Sequence, residues 1–149
     1  MPKASVKRLI ECNKTQLINL VLDIESYPLF IPYCLNSKVY EKKEKEDMIS
    51  IIADLTIGKG PFKATYKSDV KYYKSTDTIH VINIEGPLKH LDNKWTFTKK
   101  NDHTEISFVI DFEIKNKFLN IAMGKSFQYG LDMVADSFQK RANDLFKSK

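Results

Sequence analysis

Hydrophobic and polar positions change their period twice along this chain. Residues 4–12 are short and mixed, and they predict a first strand beginning at Ala4. Asn13 follows, with Gln16 three residues on, a pairing that caps a helix by reciprocal hydrogen bonds. Leu17, Leu20, Val21 and Ile24 then recur at i, i+3, i+4 and i+7, the spacing of one helical face. Pro28 ends that helix or starts a second short one, which Pro32 closes. From Leu35 the period becomes two. Ile49, Ile51, Ala53, Leu55 and Ile57 alternate with more polar partners. So do Phe62, Ala64, Tyr66, Ser68, Val70 and Tyr72, and later Ile106, Phe108, Ile110, Phe112 and Ile114. Alternation of this kind marks antiparallel strands with one face on a core and one in water. Two further strands are predicted near 78–85 and 90–99, with charged turns at Lys43–Asp47 and Lys99–His103. The last thirty residues return to helical period: Met123, Phe127, Leu131, Val134, Phe138, Ala142 and Leu145 make one apolar stripe over a helix of 118–146.

These elements add up to an α+β domain occupying 1–149 as one unit, a curved antiparallel sheet of about six to seven strands against a long C-terminal helix. At 149 residues a core needs no disulfide or metal to hold it. Cys12 and Cys34 have no C-x-x-C spacing, so they read as reduced, buried thiols. No run approaches the eighteen or so apolar residues of a membrane span, and the N-terminal apolar stretch is too short for a signal peptide. The expectation is a soluble, cytoplasmic protein that visits a membrane surface. The net charge of +5 comes almost wholly from lysine, since Arg8 and Arg141 are the only arginines. Lysine solvates well but lacks the planar fork that arginine uses on phosphates and bases, so the charge by itself reads as a solvated surface.

Long strands curl, and a curled sheet gripping one helix leaves room for a cavity between them. Polar residues at inward positions sharpen that idea: Ser68 stands between Tyr66 and Val70, and Asn93 between Leu91 and Trp95. A buried polar group needs a partner in protein, water or ligand. In Glu85–Phe97, Gly86-Pro87 signals a turn and Trp95 is the chain's one tryptophan. Two readings stand, a hairpin corner with a core tryptophan or the rim of a pocket with an aromatic wall. Signs of catalysis are missing. His80, His90 and His103 have no metal-ligand spacing, Gly58-Lys59-Gly60 is not a phosphate loop, and no base is indicated beside Cys34. Asp111 and Glu113 fall on the polar face of their strand. The expectation is no catalytic residue, no metal, and a binding function.

Three segments carry a family resemblance. Asp23–Cys34, D-I-E-S-Y-P-L-F-I-P-Y-C, resembles the D-V-x-x-Y-P-x-F-(L/I)-P-x-C segment of the coenzyme-Q-binding START-like proteins. Gly86–Leu91 with Trp95 and Phe97 resembles their G-P-F-x-x-L-x-x-x-W-x-F, and Thr104–Ile114 is similar to their T-x-V-x-F-x-(I/L)-D-F-E-F. Leu88 and Ile114 depart from it, standing where aromatics are usual. The family, part of the polyketide cyclase-like superfamily, includes the ribosome association toxin RatA. The resemblance implies a helix-grip fold roofed by the short helices, binding ubiquinone or a similar polyprenyl lipid and supporting respiration. Cavity-lining residues would then be Tyr27, Phe30, Phe62, Tyr66, Ser68, Asn93, Trp95, Phe97, Phe108, Phe112, Phe127, Leu131, Val134 and Phe138. Ser68 or Asn93 would hydrogen-bond a quinone carbonyl. The implied partners are a hydrophobic lipid and the inner-membrane surface. The toxin branch implies instead the large ribosomal subunit and an antitoxin protein, with Lys63, Lys67 and Lys71 on one outer strand face as ribosome contacts interrupted by Asp69. A cyclase-like enzyme is the third reading. The apolar side chains of Asp23–Cys34 face a lipid or membrane at the cavity mouth, or else pack on the C-terminal helix.

Overall fold

A computed structural model describes residues 3–59, 62–86 and 88–146. The side chains of residues 59, 62, 88, 114, 118–127 and 130 lie outside the described set. The chain runs β1 (Lys3–Ile10), α1 (Lys14–Leu22), a short 3-10 helix (Ile24–Leu29), β2 (Cys34–Glu44), β3 (Met48–Lys59), β4 (Phe62–Tyr73), β5 (Thr78–Glu85), β6 (Leu88–Lys100), β7 (His103–Ile114) and α2 (Lys117–Phe146). All seven strands join one antiparallel sheet in the order β1-β7-β6-β5-β4-β3-β2. The helical cap at Asn13 forms as the sequence predicts: the Gln16 backbone N–H donates to Asn13 Oδ1 at 2.8 Å, and the Asn13 N–H donates back to Gln16 Oε1 at 3.4 Å. One prediction needs correcting. The second short helix begins at Ile24 and carries Pro28 inside it. The tighter 3-10 ladder asks for few backbone donors over so short a run, so a proline late in it is tolerated.

Bulges between Cys34 and Asn36, Val39 and Glu41, Asn83 and Glu85, and Leu88 and His90 break the registers of β2, β5 and β6. Each extra residue bends its strand and adds twist, which curves the sheet toward α2. Helix α2 lies along β1 and covers the open edge of that strand. The Gln128 and Gln139 side-chain amides donate to the Ser5 and Leu9 carbonyls at 2.9 and 3.4 Å. Between them the Arg8 guanidinium reaches Asp136 at 3.1 Å and Asp132 at 3.8 Å. The opposite edge, β2, carries Lys38, Lys42 and Lys43, charges that discourage pairing with another strand.

The core fills the wedge between α2, α1 and the inner sheet face. Ile10, Leu17, Ile51, Ile79, Ile106 and Phe138 are among its largest fully buried side chains. Thr104 is buried with them, its hydroxyl donating to the Cys12 carbonyl at 2.9 Å and so tying β7 to the turn before α1.

Candidate functional site: the concave face and its aromatic roof

The proline-bounded segment divides its apolar residues between two roles. Tyr27 and Phe30 turn inward and meet Phe138 of α2 edge-on, with ring centroids 5.5 and 5.3 Å away. The Tyr27 hydroxyl donates to the Val21 carbonyl, which fixes the 3-10 helix on the end of α1. The Arg141 guanidinium lies 5.3 Å over the Phe30 ring and covers the cluster from outside. Leu29 and Tyr33 instead stay exposed, at 74% and 48%. Tyr33 adopts a left-handed backbone (φ 65°), and its carbonyl accepts from the Gly58 N–H at 3.0 Å. Ile57 pairs with Cys34 in the β2–β3 ladder, so it and exposed Leu35 lie next to Tyr33. One end of the domain therefore shows water a group of apolar side chains drawn from the 3-10 segment, β2 and β3.

The same junction holds the tryptophan. Trp95 is buried, with its ring 4.0 Å from that of Phe108 and 5.2 Å from that of Phe138, both edge-on. Of the sequence's two readings for Trp95, the structure gives the core tryptophan. Gly86, at the start of that segment, has φ +135°, and a Cβ there would lie 2.9 Å from the Cα and Cβ of Tyr66. Only glycine permits that approach.

Among the residues predicted to line a cavity, Trp95, Phe108, Leu131 and Val134 come together around one space with Val6, Ile106 and Ala135. This space admits no water-sized molecule, so α2 is seated against the sheet at Leu131, Val134 and Ala135. Tyr27, Phe30 and Phe138 roof it. Phe97 and Phe112 are buried on the same sheet face. Phe62 and Phe127 lie outside the described side chains. Tyr66, Ser68 and Asn93 occupy the inner face farther from the helix contact with β1. Burial pushes the Tyr66 phenol up to about 12.

Two polar atoms of the inner face stand out. Ser68 is 5% exposed, and among the described residues its Oγ has no hydrogen-bond partner. The same holds for the buried Oδ1 of Asn93. An unmet buried polar group costs about 1–3 kcal/mol, so a ligand that completes these bonds gains what the empty site lacks. One polar position on this face was missed in the sequence: Asn83 pairs with Ser68 across β4 and β5. The alternation of Ile79, Val81 and Asn83 within Thr78–Glu85 could have revealed it, had the register of that strand been drawn.

Asp69 interrupts the lysine surface as the sequence implies, and Asp54 on β3 adds a second interruption. Lys71 is held 3.4 Å from Asp69, and Lys67 lies opposite Asp54 with its ammonium 4.7 Å from the Tyr40 ring. Lys63 remains exposed. The three do not form a continuous basic ridge, because the alternation that puts lysines outward also puts Asp54 and Asp69 there. On the convex face Tyr73, Thr76, Thr78, His80, Asp92 and Lys94 line an open groove of about 450 Å³. There His80 Nε2 and Asp92 Oδ1, 2.8 Å apart, satisfy each other. No group of His, Cys, Asp and Glu among the described residues could hold a metal ion. No described helix is long and apolar enough to cross a membrane.

Comparison with known proteins agrees with this architecture. A START superfamily protein from Mycobacterium smegmatis superposes with a TM-score of 0.81 over 97% of this chain and 99% of its own, at 15% identity, which speaks to fold alone. The ribosome association toxin RatA of Rickettsia prowazekii is 27% identical over 94% of this chain and 95% of its own length. The mitochondrial coenzyme Q-binding protein COQ10 of Dictyostelium discoideum is 32% identical over 89% of this chain and 65% of its own. The family model described as "Polyketide cyclase / dehydrase and lipid transport" matches residues 15–139, and with a curved seven-stranded sheet closed by its C-terminal helix the chain belongs to that family.

Proposed function

We propose that this protein binds a quinone-type polyprenyl lipid between the concave sheet face and α2, holding it without chemical change. The observation that carries this reading is a buried hydroxyl, Ser68 Oγ, which has no hydrogen-bond partner among the described residues, in a largely aromatic and aliphatic cradle. A quinone matches such a cradle, with polar oxygens on a flat ring and a tail that water rejects. Each buried CH₂ contributes about 0.8 kcal/mol. The seated helix leaves no room at Trp95 and Phe108, so entry requires α2 and the 3-10 segment to lift, and the ligand selects that open form. Exposed Leu29, Tyr33, Leu35 and Ile57 would meet a membrane surface, the source of the lipid, on the cytoplasmic side. Among the described residues the buried polar side chains are Thr56, Ser68 and Thr104, none of them charged. Without an acid–base pair on that face, the binding reading is favoured over cyclase-like catalysis. The name of the COQ10 relative supports the same ligand class. Organic extraction of the purified protein followed by mass spectrometry tests this. About one quinone per chain is the expected result, and an apolar extract empty of prenyl lipids would overturn it.

A second reading is that the chain binds ribosomal subunits and hinders their association, with an antitoxin as a further partner. It is favoured by the match to RatA over nearly the whole of both chains. Exposed Lys63, with Lys38 and Lys67 about the Tyr40 ring, would supply the contacts. Binding through phosphates weakens steeply as salt rises. Co-sedimentation with subunits that is unchanged from low to moderate salt would argue against this mechanism.

A further inference from the structure

The inner face contains more polar character than a greasy tail requires, and its placement is regular. Ser68 on β4 pairs with Asn83 on β5. Asn93 on β6 pairs with Val81, one inward step along β5 from Asn83. The three side chains therefore form an oblique row across three adjacent strands. Apolar positions flank the row: Ala53 is opposite Ser68 on β3, and Ile110 is opposite Asn93 on β7. Ser68 is 5% exposed, and its Oγ, like Asn93 Oδ1, lacks a partner among the described residues.

The chemistry of the row is uniform. Each side chain is neutral at every physiological pH, and each both donates and accepts hydrogen bonds. The titrating neighbour on β4 is Tyr66, whose phenol burial pushes up to about 12, so it too stays neutral. A quinone oxygen only accepts, whereas a quinol hydroxyl both donates and accepts. A carboxylate would favour the quinol, and a cation would favour the quinone. A hydroxyl that rotates and carboxamides that can turn serve either form.

We infer that the Ser68–Asn83–Asn93 row reads the ligand's polar head and binds the oxidised and reduced forms of a quinone ring with nearly equal affinity. The site is then indifferent to redox state, as a carrier needs and a redox enzyme does not. This rests on the lipid-binding reading above. By linkage, equal affinity leaves the potential of the bound couple unshifted. A fivefold preference corresponds to about 21 mV for two electrons, from the relation of about 29.6 mV per tenfold.

The test is an anaerobic titration of the full chain with decylubiquinone and, separately, with decylubiquinol, followed by calorimetry. The expected result is two dissociation constants within fivefold of each other. Ser68→Ala and Asn93→Leu should each weaken both forms several-fold. Asn93→Asp, which replaces the amide donor with a second acceptor, should move the ratio at least tenfold toward the quinol. A wild-type preference beyond fivefold overturns redox indifference while leaving lipid binding intact. Equal affinities untouched by all three substitutions overturn the role of the row. Binding of neither probe removes the lipid reading and this inference together.

Discussion

Removing the Phe138 ring tests whether the junction between α2 and the sheet is packed shut in solution. Phe138 is 1% exposed and meets Tyr27, Phe30 and Trp95 at centroid distances of 5.5, 5.3 and 5.2 Å. Truncating a buried phenylalanine costs about 3–5 kcal/mol through lost transfer energy and the cavity left behind. Three edge-on ring pairs, each contributing about 0.5–1.5 kcal/mol beyond area, put Phe138→Ala toward the upper end. Against a total stability of about 5–15 kcal/mol for a domain, that is a large fraction, and it lowers the melting temperature by about 10 °C. Urea unfolding followed by the fluorescence of Trp95 reports on the same junction. A loss below about 1.5 kcal/mol would refute the reasoning. It would mean that the aromatic roof stands apart from the sheet in solution and that its rings already border open space.

Gly86→Ala forces a side chain onto φ +135° and to 2.9 Å from the Tyr66 backbone. It should lose about 1–3 kcal/mol, and a variant as stable as wild type in urea would contradict that geometry. Arg8→Ala and Asp136→Ala should couple weakly, at about 0.5 kcal/mol in a double-mutant cycle, because Asp136 is largely exposed; a coupling above about 2 kcal/mol would show the pair to be far drier than the structure has it. The alkaline limb of stability follows from burial, which raises Cys12 from 9.0 to about 11 and Tyr66 and Tyr72 from 10.0 to about 12. For Tyr72, its bond to Asp77 adds to the effect. These groups stay protonated in the folded chain after the unfolded chain has released its protons. Folding stability is therefore full below about pH 9 and declines as the pH climbs toward 12. Melting temperatures that stay level from pH 8 to 11 would refute it. Ellman's reagent should react with Cys12 at pH 8 far more slowly than with a free thiol, and prompt reaction in the folded state would show that Cys12 is not buried.

Much of the local chemistry was legible in the chain. The capping pair Asn13 and Gln16, the period-two runs of β3, β4 and β7, and the stripe of α2 depend on residues within a few positions of one another, where sterics and alternation leave little choice. The 3-10 start at Ile24 was not legible, because a proline forbids one backbone bond without saying which ladder the preceding residues adopt. The inward position of Ser68 followed from alternation alone, and that of Asn93 from alternation together with the register of its strand. Asn83 joined them only through the β4–β5 register, which a bulge on β5 between Asn83 and Glu85 resets. Tertiary structure alone decided that Tyr27 and Phe30 close on Phe138, that Leu29 and Tyr33 remain in water, and that Asp54 of β3 joins Asp69 in breaking the lysine surface. These outcomes depend on strand order and on where α2 rests, contacts between residues more than a hundred positions apart. Sequence pattern determines which side chains share a face. Which faces then meet, and how tightly, is settled by burial summed over the whole domain.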